Sequence, residues 1–170
     1  MKTKIVFLSL MIFLGCSAAF AQSAGVSKTV FTIERNTNAN VVNYDARIVN
    51  GQIDQKDPID SYWMMYAKDG KREEIGSFEK KAYGFKIAYD GANNLFNLTL
   101  NAVEDRNIKL FMRDGSPVAQ ITINDRQAFL KKVYVFAKSG FLGVPKVVYY
   151  TLYGIDIETG QEISEQINVK

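Results

Sequence analysis

The sequence predicts a mainly β domain, and three observations carry that prediction. Apolar and polar residues alternate with period 2 in several short runs, Asn-Gly and Asp-Gly pairs punctuate the runs, and no long helical pattern separates them. The expected architecture is a single antiparallel β-barrel or β-sandwich of about ten strands, with one amphipathic helix at about 71–83.

The N-terminus is read first because it is a targeting segment rather than fold. A basic start (MKTK), an apolar run (IVFLSLMIFLG) and Ala19-Phe20-Ala21 form the pattern of a secretory signal peptide over residues 1–21, with cleavage following Ala21. The alternative is a lipoprotein signal in which Cys16 is lipidated, although Phe13 stands where leucine is usual. The apolar run falls short of the roughly 20 residues that span a bilayer. The expectation is export to the periplasm or the extracellular space. Residues 22–28 then form a short flexible leader, and 29–168 a single β-rich domain.

The strands follow in order. Residues 29–35 open the domain. In the next run Val42, Tyr44, Ala46 and Ile48 alternate with Asn43, Asp45 and Arg47. Strands at 61–67 and 85–90 precede the clearest alternation, where Phe96, Leu98 and Leu100 interleave with Asn97, Thr99 and Asn101. Further strands are predicted at 107–113, 118–124, 132–138, 146–157 and 162–168. The intervening Asn50-Gly51, Asp69-Gly70, Asp90-Gly91 and Asp114-Gly115 favour the turns whose twist suits antiparallel hairpins. Parallel pairing is not expected, because no helical crossover is in view.

The helix is predicted from Lys71 to Tyr83. Ile75, Phe78 and Ala82 fall at i, i+3 and i+7, charged residues cover the other sides, and Gly84 is a suitable stop. A short helical turn at 125–132 is the second, weaker signal. The run Val147 to Tyr153 is apolar or aromatic on both faces, so one face lines an interior and the other lies under a helix or flap. Barrel closure removes exposed edges in a chain with only three prolines, whereas a sandwich would make the same run a covered central strand.

Composition excludes several chemistries. Removing the leader takes away Lys2 and Lys4, leaving 19 basic against 18 acidic residues, so the net charge falls from +3 to +1. A nearly neutral chain offers no electrostatic footprint for nucleic acid. The chain has no histidine, and Cys16, its only cysteine, leaves with the leader. The mature domain therefore has no thiolate or imidazole for a metal, a disulfide, or a Ser-His or Cys-His pair. No cofactor or metal is expected.

Phe31 to Asn36 with Asn38, Asn40 to Val42 and Tyr44, then Asp57-Pro58, Tyr62-Trp63, and Phe78 to Gly84, resemble a family of small exported domains catalogued as domain of unknown function 4833. The resemblance covers roughly residues 29–168. It implies no activity, ligand or catalytic set. The leader also resembles those of exported proteins of the Bacteroidetes.

Candidate ligand-binding residues are Arg35, Tyr44, Tyr62, Trp63, Glu79, Tyr83, Tyr149 and Tyr153. Arg35 continues the Phe31–Ile33 face, where its planar fork could meet a carboxylate or phosphate. Trp63 and the tyrosines have large apolar bodies with polar tips, the residue type that lines a pocket for a mostly hydrophobic ligand. Each has a plainer alternative as core, and the charges as solvated surface. Ser139 to Gly143 lacks the features of a phosphate loop and reads as a loop, with an apolar rim to a pocket as its functional alternative.

Three function classes follow. The first is non-catalytic binding of an amphipathic or lipid-like small molecule in the cell envelope. The second is an accessory domain binding another envelope protein through Phe141, Leu142 or a strand edge. The third is an enzyme independent of histidine and cysteine, with Glu34 or Glu79 as base and an arginine as anion stabiliser.

Overall fold

The computed structural model describes residues 25–139 and 145–169. Along the chain run β1 (Val26–Arg35), β2 (Asn38–Val49), β3 (Gln52–Ile53), β4 (Ile59–Met64), β5 (Arg72–Glu74), α1 (Lys80–Tyr83), β6 (Phe85–Asp90) and β7 (Leu95–Leu100). Then come β8 (Val103–Arg113), β9 (Ser116–Ile123), β10 (Arg126–Ser139), β11 (Pro145–Asp156) and β12 (Glu162–Asn168). The mainly β class stands, with twelve strands among the described residues where about ten were expected.

Nine strands lie edge to edge in the order β5-β4-β2-β1-β10-β9-β8-β7-β6, and no pairing among the described residues joins β5 to β6. The sheet curls into a half-barrel that stays open, so of the two expected forms the barrel does not close. Strand β10 is the hinge of this plan. Its residues 126–129 pair with β9 and its residues 132–135 with β1, while β11 runs along its other edge. The β1–β10 pair is parallel, a second correction. It needs no crossover helix because β2 to β9 themselves make the connection.

Asn36 locks the end of this parallel pair. Its side-chain amide donates to the Ala137 carbonyl at 2.9 Å and accepts the Ala137 N–H at 2.8 Å. Both ends of one amide thus satisfy two backbone groups just beyond the ladder.

The predicted long helix is also corrected. Gly70, at φ +69°, turns the chain back so that Arg72, Glu73 and Glu74 pair with Met64, Trp63 and Tyr62 as β5. Arg72 reaches Asp60 at 3.1 Å and Glu74 at 2.8 Å across and along this hairpin. Helix forms only after Gly76, whose N–H donates to the Glu79 carboxylate just before α1 begins. Gly84 does end α1, but through close approach rather than a left-handed conformation. Its φ is −73°, and an added Cβ would stand 2.2 Å from the Lys80 carbonyl oxygen. The helical turn expected at 125–132 is absent: Asn124 (φ 48°) and Asp125 (φ 60°) form a tight hairpin turn into β10.

A single core spans both halves of the sheet. Phe31 and Tyr44 from β1 and β2 stack at 4.4 Å, and Phe85 meets Tyr44 edge-on at 6.2 Å. Leu98, Ile108, Leu110 and Ile121 come from the far half, all buried. No helix among the described residues is long and apolar enough to cross a membrane.

Candidate functional site

Strand pairing places the end of β1 beside β10, and the Gly76–Gly84 turn carries α1 to the same edge. Between them opens a cleft of about 500 Å³. Phe78, Ala82, Ala102, Val135, Ala137 and Val147 give it apolar walls, and Arg35, Thr37, Glu79, Lys81 and Tyr83 give it a polar margin. The register shift after Phe136 matters here. Phe136 pairs with Tyr149 whereas Ala137 pairs with Val147, so Val148 is an extra residue that changes which side chains of β11 face the cleft.

Five of the eight residues singled out from the sequence come together at this end. The Arg35 guanidinium lies 4.4 Å from the Trp63 ring centre, and its Nη1 donates to the Tyr83 hydroxyl at 3.2 Å. Trp63 and Tyr83 meet edge to face at 4.9 Å. The Tyr44 hydroxyl, fully buried, donates to the Tyr83 carbonyl at 2.5 Å. Burial pushes the Tyr44 phenol well above its ordinary pKa, so it stays a neutral donor. Tyr44 and Trp63 do not line the cleft but stand behind it, fixing Tyr83 and Arg35, while Glu79 borders the cleft and accepts from the Gly76 N–H.

The other three lie elsewhere. The Tyr62 hydroxyl donates to Asp45 at 2.9 Å, and Arg72 covers the ring at 4.0 Å. Burial, then the Asp45 carboxylate, raise the Tyr62 pKa. Tyr149 stacks on Phe136 at 4.9 Å, and Tyr153 stands half-exposed beneath Lys132 at 5.1 Å. None of the three borders the cleft.

The residues that sequence reasoning did not single out are Phe78, Lys81 and the small apolar walls. Phe78, expected on the apolar face of an amphipathic helix at about 71–83, is 79 % exposed. The turn signal at Asp69-Gly70 was the clue that the helical period could not run through 71–75. Val135, Ala137 and Val147 carry no signal beyond that of ordinary strand residues. Phe141 and Leu142, and with them the apolar rim, lie outside the described residues.

The candidate bases are engaged. Glu34 pairs with Lys132 at 3.1 Å, and Glu79 accepts from Gly76 at 2.9 Å. Among the described residues no group of three acidic, histidine or cysteine side chains is placed to hold a metal. A second, polar groove of about 460 Å³ runs over β8, β9 and β10. Its Arg106 is bound to Glu165 at 2.6 Å, and its Gln120 and Gln127 to each other at 2.7 Å.

A family model described as "Domain of unknown function (DUF4833)" matches residues 31–166. No curated protein and no solved structure matches the chain.

Proposed function

The chain belongs to the DUF4833 family, a domain of unknown function, and from that premise we propose that it binds an amphipathic, lipid-like small molecule in the cleft beside α1. The observation that carries this reading is the pairing of an apolar cleft with a fixed polar group at its edge. Six apolar side chains face about 500 Å³, and Arg35 and Tyr83 are held against it by Trp63 and Tyr44. Burial of a ligand's apolar body supplies affinity at about 25 cal/mol per Å², and the few convergent polar groups supply orientation. The proposed site is non-catalytic, and its setting is the cell envelope, to which the leader directs the chain. The test is organic extraction of the purified protein followed by mass spectrometry. A stoichiometric amphiphile supports the reading, and a protein that emerges clean and binds no added amphiphile defeats it.

A second reading has one observation in its favour. Phe78, 79 % exposed at the cleft margin, could equally seat against an apolar surface of another envelope protein. Crosslinking in envelope membranes, followed by identification of a single partner through residue 78, is the result that would favour it.

A further inference from the structure

We infer that the amphiphile of this cleft carries an anionic head, carboxylate or phosphate, and that Arg35 selects it. The inference rests on the amphiphile reading above. The chain has six arginines, and five of them have acidic partners: Arg47 with Asp57 and Asp60, Arg72 with Asp60 and Glu74, Arg106 with Glu165, Arg113 with Asp114, and Arg126 with Asp156. Among the described residues Arg35 alone has none. Its Nε donates to the neutral Asn38 amide and its Nη1 to the neutral Tyr83 hydroxyl, both at 3.2 Å, and its face rests on Trp63.

That arrangement fixes the plane of the guanidinium without neutralising it. Nη2 makes no hydrogen bond among the described residues, so one arm of the fork keeps its donors. Arginine is weakly hydrated and forms two parallel bonds to a carboxylate or phosphate, so a pre-oriented, uncompensated one at an apolar cleft suits such a head. Lys81 adds a second positive charge on the same margin, its ammonium 5.5 Å over the Phe78 ring and likewise without an acidic partner among the described residues. Glu79 is the one acid bordering the cleft, and its Oε2 is engaged by the Gly76 N–H. The margin is therefore net cationic. A neutral head would leave the charge unused, and a cationic head would meet repulsion.

The single tryptophan lies against Arg35, so its fluorescence reports events at the guanidinium. The experiment titrates the purified protein with dodecanoate, dodecyl phosphate, dodecanol and dodecyltrimethylammonium below their micellar concentrations, with Arg35→Gln and Arg35→Lys variants alongside. The expected order is an anion bound about tenfold or more tighter than the alcohol, the worth of one charge-assisted hydrogen bond, and the cation weakest. Which anion leads separates a carboxylate from a phosphate head. Arg35→Gln should abolish the preference for the anion over the alcohol, and a urea melt of the same sample shows that the variant is folded. Arg35→Lys should restore part of it. Equal binding of anion and alcohol by the unaltered protein overturns the head-group inference and leaves the amphiphile reading standing. A preference that survives in Arg35→Gln removes Arg35 from the role. Binding of none of the four removes both.

Discussion

Arg35 and Trp63, twenty-eight positions apart in the chain, lie face to face with 4.4 Å between the guanidinium carbon and the ring centre. The contact joins the last residue of β1 to the penultimate residue of β4 across β2. Trp63 is 3 % exposed, and its Nε1 is the one buried side-chain nitrogen or oxygen among the described residues without a hydrogen-bond partner. The indole is thus retained for its volume and its π-face, since its polar group contributes nothing here. A cation over an aromatic face gains about 0.5–1 kcal/mol when exposed and about 2 when desolvated.

That orphaned N–H makes the first prediction. Trp63→Ala should destabilise by about 3–5 kcal/mol, as expected of a large buried aromatic. Trp63→Phe should cost only about 1–2 kcal/mol, because relief of an unsatisfied buried donor offsets part of the lost volume. Urea denaturation of both variants decides it. Equal losses would mean that the indole N–H has a partner.

How much of this was legible in the sequence depends on where the deciding contact lies. Strands β6 and β12 have the bounds read from alternation and turn signals, because both are local properties. Strand β5 was missed because Ile75, Phe78 and Ala82 do satisfy a helical period; what overrides it is pairing with β4 and the Arg72–Asp60 ion pair, twelve residues apart. The parallel β1–β10 pair joins segments about a hundred residues apart, and nothing in either strand announces the other. The same holds for the site. Arg35, Trp63 and Tyr83 were legible as residue types suited to a pocket, whereas Val147 joins Val135 and Ala137 as a cleft wall through the register shift after Phe136, which no single-strand pattern displays.

Gly84→Ala should destabilise although its backbone angles suit any residue. The new methyl would collide with the Lys80 carbonyl and the Asn101 amide, 2.2 and 2.8 Å from the ideal Cβ position. Asn101 itself donates to that carbonyl at 2.9 Å and ties α1 to the turn after β7. Overpacking of this kind costs about 1–3 kcal/mol. Thermal unfolding, with hydrogen exchange of the Lys80–Gly84 amides, checks both the size and the location of the effect. Unchanged protection there would show that the helix shifts without cost.

Asn36→Ala should remove the clamp on Ala137 and leave two backbone groups without their partners. The loss is about 1–3 kcal/mol, the usual cost of orphaned polar groups that are partly buried. Asn36→Asp should rescue less than half, since a carboxylate accepts from the Ala137 N–H but has no donor for its carbonyl. Guanidinium melts of the two variants test this. An aspartate as stable as the asparagine would show that only the accepting half of the amide matters.

Asp156 should contribute to the protein's acid sensitivity. The Thr159 backbone N–H, then the Thr159 hydroxyl and the Arg126 guanidinium at 2.7 Å, hold its carboxyl below the ordinary aspartate range against the opposing effect of burial. Its folded pKa is depressed, so its stabilisation is complete above the unfolded value of about 4 and is lost as pH falls through the folded one. Melting temperatures measured from about pH 5 downward should fall, and the fall should flatten in Asp156→Asn. A variant with the same acid slope would assign that slope to other carboxylates.

Phe78→Ser separates binding from folding more sharply than any core substitution can. At 79 % exposure the phenyl ring contributes little to stability, and changes at such surface positions stay within about 0.5 kcal/mol. The same ring walls the cleft, so its loss should weaken dodecanoate binding by about three- to tenfold, in keeping with a partial loss of the roughly 1.5–3 kcal/mol available from a large apolar side chain. The tryptophan titration gives the affinity, and a urea melt of the same sample gives the stability. A variant that binds as before would place the ligand's apolar body elsewhere, and one that melts early would mean that Phe78 packs against the fold.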